Sequence, residues 1–244
     1  MLKYNESYGI SFLTIEALDR VRKDMELLIE DRIFEWQGDL KTTYDKYLHP
    51  DVIEMDDEEM WKNLCEGKIL DAFQMDSPVG KSSIAKVQPH SFYQVCDTNA
   101  LMRISCEGKQ PIDRYNDNKR DINNWYREMR EAGLTQEEVK VMEKHLLKNY
   151  GVASTQEQAM KLSMDEKIAG FDLVWANKLR KAIAKAYAKD MLELVYNRFI
   201  DSGMSLGNRK EFLEYVWDSN IVPMYNYSFS EPHIYGLNNS PYKI

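Results

Sequence analysis

The sequence predicts a mainly α-helical protein, and three observations carry that expectation. Gly and Pro are scarce, at 11 and 7 of 244 residues, while the good helix formers Leu, Lys, Glu and Met are plentiful. Apolar residues recur at three- and four-residue spacing over several long stretches. Thr135 followed by Glu138 has the pattern of a capping box, and Gly151 stops the stretch it opens. A chain of 244 residues makes one large domain or two small ones and can bury a sizeable core.

In chain order, Leu13 to Phe34 reads as an amphipathic helix, because Leu18, Val21, Met25, Leu28 and Ile33 recur at helical spacing. Gln37 to Pro50 reads as a connection. Asp56 to Leu64 reads as a short helix with acids at its positive end. Lys68 to Met75 reads as a strand or a turn, and Ser91 to Met102 as a helix. Ser105 to Asn118, with Gly108, Pro111 and several Asn and Asp residues, reads as loop. Helices follow over Gln136 to Asn149, Gln156 to Lys167 and Leu173 to Ser202, the last two separated near Gly170. From Pro223 onward Tyr, Ser, Asn and Pro predict an irregular tail. No internal repeat or low-complexity tract interrupts this order.

Several function classes are disfavoured. Cys65, Cys96 and Cys106 show no C-x-x-C spacing, which argues against a disulfide framework or a zinc site. His49, His90, His145 and His233 have no metal-ligand spacing. There is no G-x-x-x-x-G-K-[ST] loop and no G-x-S-x-G elbow. Without a secretory signal or a long apolar run, the expectation is a soluble cytoplasmic protein with no membrane partner. The net charge of −8 neither supports nor excludes a phosphate-bearing ligand, because acids concentrate before residue 80 and bases between Lys178 and Lys189.

The stretch from Leu173 to Ser202 holds the clearest chemical pattern. At about 100° per residue, Lys178, Lys181, Lys185 and Lys189 share one face, and Leu179, Ile183, Tyr187 and Met191 share the other. Such a helix packs by one side and offers a row of cations on the other, either as an anion site or as an ordinary solvated face. Lys81, Lys86 and Arg103 form a second basic group.

Short motifs then follow one another in a telling order. Phe73-Gln74-Met75-Asp76-Ser77 resembles the F-Q-L-E-S motif of bacterial DNA polymerase III alpha subunits. Lys81, Lys86, Pro89 and Phe92 follow, and then Asn99-Ala100-Leu101-Met102-Arg103, similar to the family's N-A-L-x-R run. Tyr150-Gly151-Val152 with Gln156-Glu157-Gln158 and Met160 is similar to Y-G-V-x-x-Y-Q-E-Q-x-M. Ala169-Gly170-Phe171 followed by Ala176-Asn177-Lys178-Leu179-Arg180-Lys181-Ala182 resembles A-G-[YF] and A-D-x-L-R-R-A, with Lys185 at the start of the family's lysine run. Tyr227-Ser228-Phe229-Ser230 with His233 resembles Y-x-F-[NS]-x-x-H, and Leu2-Lys3-Tyr4-Asn5 with Gly9 and Leu13-Thr14 resembles the palm segment L-K-x-D-x-L-G-L-x-x-L-T.

The resemblance implies the helical fingers region of a C-family DNA polymerase with a small remnant of the palm. Residues 1–14 would end the palm, 15–222 would form the fingers, and 223–244 would be an irregular tail ending within a family motif. It implies DNA and dNTP as partners. Lys81, Lys86, Arg103, Arg180, Lys181 and Lys185 would line the path of the triphosphate, while Lys3, Gln74, Asp76 and His233 are further motif positions. Gln74 and Asp76 would hold the fingers together, and Tyr150 would pack in the core.

Departures concentrate where the family's chemistry occurs. Asn5 stands at the expected position of a Mg2+-binding aspartate; Glu6 becomes the substitute if the alignment shifts by one. No P-D-x-D-x-D segment is present, Ile104-Ser105-Cys106 replaces P-G-P, and Glu231 replaces a basic residue. Mg2+ is therefore not expected to bind well to this chain alone. The expectation is a truncated polymerase part that needs a palm from another chain. The alternative is a non-catalytic nucleotide- or DNA-binding or assembly protein, or a decayed remnant, that retains the fingers fold.

Overall fold

Six helices begin in the same way. Asp39, Asp57, Ser77, Ser91, Thr135 and Thr155 each turn a side-chain oxygen onto the backbone N–H three residues later, satisfying a donor that the helix cannot use internally. At Thr135 and Thr155 the box is complete, because Glu138 and Gln158 reach back to the cap. The computed structural model describes residues 16–54, 57–68, 75–104, 108–184 and 189–225, with the side chains of 16–18, 189 and 225 outside that description.

Thirteen α-helices and no strand occur among the described residues. They are α1 Glu16–Glu30, α2 Leu40–Tyr47, α3 Glu58–Cys65, α4 Pro78–Val87, α5 Phe92–Leu101, α6 Pro111–Arg120 and α7 Asn123–Glu131. There follow α8 Gln136–Leu146, α9 Gln156–Met164, α10 Leu173–Ala184, α11 Lys189–Ser205, α12 Lys210–Val216 and α13 Val222–Tyr225. A 3-10 turn over Leu147–Asn149 extends α8, and a π-helical turn over Trp217–Ile221 joins α12 to α13.

The main core lies in the second half of the chain. Trp125, Met142, Leu146, Leu162, Leu179, Ile183, Phe199, Phe212 and Trp217 pack there from α7 through the π turn. A smaller cluster of Val87, Leu101, Ile112, Tyr115 and Val152 sits under α4, α5 and α6. Paired charges clamp the helices around these cores. Arg114 meets Glu128 through two hydrogen bonds of 3.0 and 2.6 Å and donates to the Ser219 carbonyl at 2.7 Å, while the Tyr215 hydroxyl donates to Glu128 at 2.9 Å. Arg209 bridges Glu138 at 3.0 and 2.7 Å, so the capping box of α8 is also tied to the start of α12. Such planar, two-point pairs fix orientation as well as distance.

The structure corrects several sequence expectations. Gln37 to Pro50 contains α2, a polar helix with no apolar period, held by the Asp39 cap and by Thr43, whose hydroxyl donates to the Asp39 carbonyl at 2.8 Å. Ser105 to Asn118 is not all loop. Pro111 occupies the first turn of α6, where its missing N–H and fixed φ suit a helix start. The helices α4 and α7 add to the expected set: α4 starts with Pro78 after the Ser77 cap, and α7 turns Trp125 and Met129, four residues apart, into the core. Within the described residues the first helix runs from Glu16 to Glu30, and α9 stops at Met164. The expected helix from Leu173 to Ser202 appears as α10 and α11, with residues 185–188 between them outside the described residues. Met191, expected on the packed face, is 39% exposed. Pro223, expected in an irregular tail, belongs to α13. Most of Lys68 to Met75 lies outside the described residues.

Two positions give measurable consequences. Tyr150 and Gly151 both adopt left-handed backbone, at φ 51° and 78°, and a Cβ on Gly151 would overlap the buried indole of Trp125. Gly151→Ala is therefore expected to lower unfolding free energy by about 3 kcal/mol in urea titrations. At the end of α9, Asp165 accepts from Lys144 Nζ at 2.6 Å, His145 Nε2 at 2.7 Å and the Lys167 N–H at 2.9 Å. Burial opposes ionisation of this carboxyl, but the three donors outweigh it and hold its pKa down at about 2, from 3.8. A depressed carboxyl stabilises the fold above its unfolded pKa, and that contribution fades as pH falls from about 4 through about 2. Asp165→Asn should remove at most about 2 kcal/mol and flatten this acid limb, read from urea titrations at pH 6, 4, 3 and 2.

Candidate nucleotide-binding site

α5 carries an acid into the interior. Asp97 is 6% exposed, and among the described residues only neutral groups hydrogen-bond to it. Asn149 Nδ2 donates to its two oxygens at 2.7 and 2.9 Å, the Ser154 hydroxyl lies 2.7 Å away, and the Tyr115 hydroxyl donates at 3.2 Å. Burial raises the carboxyl above its ordinary range, and the bonds from Ser154, Asn149 and Tyr115 pull in the opposite direction. The network continues outward. Asn149 Oδ1 accepts from Gln158 Nε2 at 2.6 Å, and Gln158 Oε1 accepts from the N–H groups of Ser154 at 2.6 Å and Thr155 at 3.1 Å.

Tyr150 joins the same assembly from the other side. Its hydroxyl accepts from Gln94 Nε2 at 3.0 Å, its carbonyl accepts from Asn118 Nδ2 at 2.8 Å, and its ring meets Tyr115 edge-on at 5.1 Å. The turn after α8 is thus fastened to α5, α6 and α9 together. Tyr150 itself is only half-buried.

This fastening brings two separated motifs face to face. Asn99 and Arg103, at the end of α5, line a cavity of about 280 Å3 with Ser154, Gln156 and Glu157, at the start of α9, and with Met224 of α13. α10 packs against both α9 and α13, so the helix bearing Arg180 and Lys181 flanks the same region. A guanidinium, amides and a hydroxyl can hold an oxyanion. Glu157 opposes that charge, so a ligand here must satisfy or avoid one carboxylate.

The expected site residues fall into three groups. Arg103 lies in the cavity, and Arg180 and Lys181 lie on α10, where Arg180 Nε donates to Asn177 Oδ1 at 3.0 Å and Lys181 is exposed. Lys178 sits over the Trp175 ring at 4.0 Å, which turns one member of the expected lysine row toward an aromatic face. Lys86 lies elsewhere: α4 and α5 form a helical hairpin, and Asn99 Nδ2 donating to Met75 Sδ at 3.1 Å puts the end of α5 beside the start of α4. Lys86 is therefore at the opposite end from Arg103, a separation of about 15 Å for ten helical residues, and it pairs with Asp113 at 2.7 Å. Lys81 is exposed on α4. Asp76 is exposed, with no side-chain hydrogen bond among the described residues, while its neighbour Ser77 caps α4. Lys3, Asn5, Glu6, Gln74, Lys185 and His233 lie outside the described residues.

Sequence reasoning missed Asp97, Asn149 and Ser154. Gln158 was readable, since Thr155-x-x-Gln158 is itself a capping-box pattern, but nothing in α5 distinguishes a buried aspartate from a surface one. Among the described residues no group of three or more His, Cys, Asp or Glu could hold a metal ion. No helix among the described residues is long and apolar enough to cross a membrane.

The family model of the bacterial DNA polymerase III alpha subunit finger domain matches residues 31–206, and the chain belongs to that family. Its relatives include the probable DNA polymerase YorL of Bacillus subtilis strain 168 and a DNA-directed DNA polymerase of Bacillus phage SPbeta. Each is 44% identical over 228 residues, covering 93% of this chain and 17% of the relative. A DNA polymerase III subunit alpha of Aquifex aeolicus is 31% identical over 179 residues, covering 73% of this chain and 14% of its own length. The chain thus spans about a sixth of the length of the relatives it matches.

The buried carboxylate can be tested directly. Asp97→Ala leaves the buried Tyr115 hydroxyl and the half-buried Asn149 amide without this acceptor, while the Ser154 hydroxyl keeps Gln158 Oε1 at 3.0 Å, and is expected to lower unfolding free energy by about 2 kcal/mol in urea titrations. Asp97→Asn should also destabilise, because its new N–H groups would point where donors already converge.

Proposed function

We propose that this chain serves as the fingers of a DNA-directed DNA polymerase in DNA replication, and that Arg103, with Arg180 and Lys181, faces the phosphates of the incoming dNTP. One observation carries the reading. The buried Asp97 network seats the start of α9 against Arg103, so the N-A-L-x-R and Q-E-Q motifs share one cavity beside the cationic helix α10.

In this role the cations act by position and charge. They hold the triphosphate and offset the negative charge that builds on the leaving pyrophosphate. Mg2+ held by carboxylates of a palm would supply the charge that helps deprotonate the primer hydroxyl and offset the leaving group, while Arg103, Arg180 and Lys181 would hold the triphosphate in place. A palm carried by another polypeptide segment would bring those carboxylates, because Asn5 stands where one is expected. Residues 1–14 would then adjoin the palm and residues 15–222 would form the fingers.

Titration of the 244-residue chain with dNTP should give saturable binding that weakens about ten-fold on Arg103→Ala or on Arg180→Ala with Lys181→Ala. Primer extension at pH near 8 with Mg2+ should require an added polypeptide bearing the P-D-x-D-x-D segment. Extension by the chain alone would overturn the need for a separate palm. A lack of dNTP binding, together with extension unaffected by these substitutions, would overturn the nucleotide assignment and favour the non-catalytic reading.

A further inference from the structure

Regular helix does not carry α12 into α13. The turn over Trp217–Ile221 is closed by the Val222 N–H, which donates to the Trp217 carbonyl five residues back, where an α-helix would use four. Such π turns are rare and recur at functional sites. Trp217 and Ile221 are buried in the main core, and between them the polar side chain of Asn220 is only 2% exposed.

The bonding of Asn220 is uneven. Its Oδ1 accepts from the Ala153 N–H at 3.3 Å, while its Nδ2 has no hydrogen-bond partner among the described residues. The amide thus makes one long hydrogen bond and leaves a buried donor unmatched, a poor arrangement for stability alone.

What the bond does fix is position. Ala153 directly precedes Ser154, which binds Asp97 through its hydroxyl and lines the Arg103 cavity. In the other direction, the chain runs from Asn220 one helical turn onward to Met224, which lines the same cavity from α13. Asn220 therefore joins two walls of one space that are distant in sequence. Its neighbour Ser219 is held as well, because the Ser219 carbonyl accepts from Arg114 at 2.7 Å. The next residue on α6, Tyr115, donates to Asp97 at 3.2 Å. Consecutive side chains of one helix thus grip the π turn and the buried carboxylate.

We infer that Asn220 is a positioning residue for the nucleotide: the π turn carries it against Ala153 so that the Met224 wall and the Ser154 wall keep one spacing around the bound ligand. This rests on the assignment of dNTP to the Arg103 cavity and adds the element that sets the cavity's width. Asn220 acts through Ser154 and Met224, not by touching the nucleotide.

The test uses the full chain and dATP, read by isothermal titration calorimetry, with urea titrations alongside. Asn220→Leu nearly keeps the side-chain volume and removes the unmatched donor together with the bond to Ala153, so the urea midpoint should move by less than about 0.3 M. Affinity for dATP should nonetheless fall about ten-fold. In the Arg103→Ala background the same substitution should cost less than about two-fold, because the contact that the misplaced walls would weaken is already gone; a merely structural role would give equal losses in both backgrounds. A second measurement needs no variant. Hydrogen exchange of the unaltered chain over residues 150–156 and 216–224 should slow together on saturation with dATP, and by more than over 136–146. Parent-like affinity of Asn220→Leu, equal losses in both backgrounds, or slowing confined to 150–156 would each overturn the inference and leave the dNTP assignment standing. Absence of dATP binding by the parent chain would instead remove that assignment, and this inference with it.

Discussion

Burying a carboxyl whose hydrogen-bond partners among the described residues are all neutral is the constraint around which the middle of this protein is arranged. Asp97 gives up hydration where α5 meets α6 and the start of α9, and among the described residues the hydroxyls of Tyr115 and Ser154 and the amide of Asn149 replace it. An unmatched buried polar group costs on the order of 1–3 kcal/mol, more when charged, so the donors must stay within hydrogen-bond distance. That requirement locks the turn after α8 and the start of α9 to α5. Gln158 then does two jobs at once, closing its own capping box and holding Asn149 in place. A shift of α9 by even a fraction of a turn would break its bond to Asn149.

The cavity beside Arg103 follows from that lock rather than from the apolar core. Ser154 lies in both the network and the cavity wall, and Gln156 and Glu157 follow it directly. The larger core beneath α9 and α10 supplies stability and orientation, with Leu162, Leu179 and Ile183 fully buried. Packed apolar side chains set how close two helices come. The polar network sets their register, because hydrogen bonds tolerate far less displacement than dispersion contacts.

Charge serves two ends in this chain, and that is why its overall balance says little about ligands. Arg114, Arg209 and Lys144 are committed to Glu128, Glu138 and Asp165, where they join helices distant in sequence. Lys119 stabilises the end of α4 through carbonyls. Other cations, including Lys81, Lys181 and Arg120, are exposed, with no ion pair among the described residues. A sequence shows both kinds as the same letters. The motif order drew attention to Lys86 together with Arg103, yet the hairpin places them at opposite ends and so assigns them to different surfaces.

By itself the sequence determined the helical class, the capped start of α8, the break near Gly170 and the family, because each depends on local chemistry or on the order of short motifs. The polar helices α2 and α6 were not legible, since the residues that open them, Asp39 as a cap and Pro111 in the first turn, also occur in loops and neither helix has a clear apolar stripe. Gly151 was legible as a stop, but its closeness to Trp125 was not, because that contact joins residues 26 positions apart. Only the tertiary structure decided that Asp97 is buried, that Arg103 faces the start of α9, and that Lys86 belongs with Lys119 and Arg120. The physical reason is common to all three. Burial and electrostatic partnership are properties of what the rest of the chain brings alongside a residue, whereas helix caps and left-handed turns are properties of the residue and its immediate neighbours.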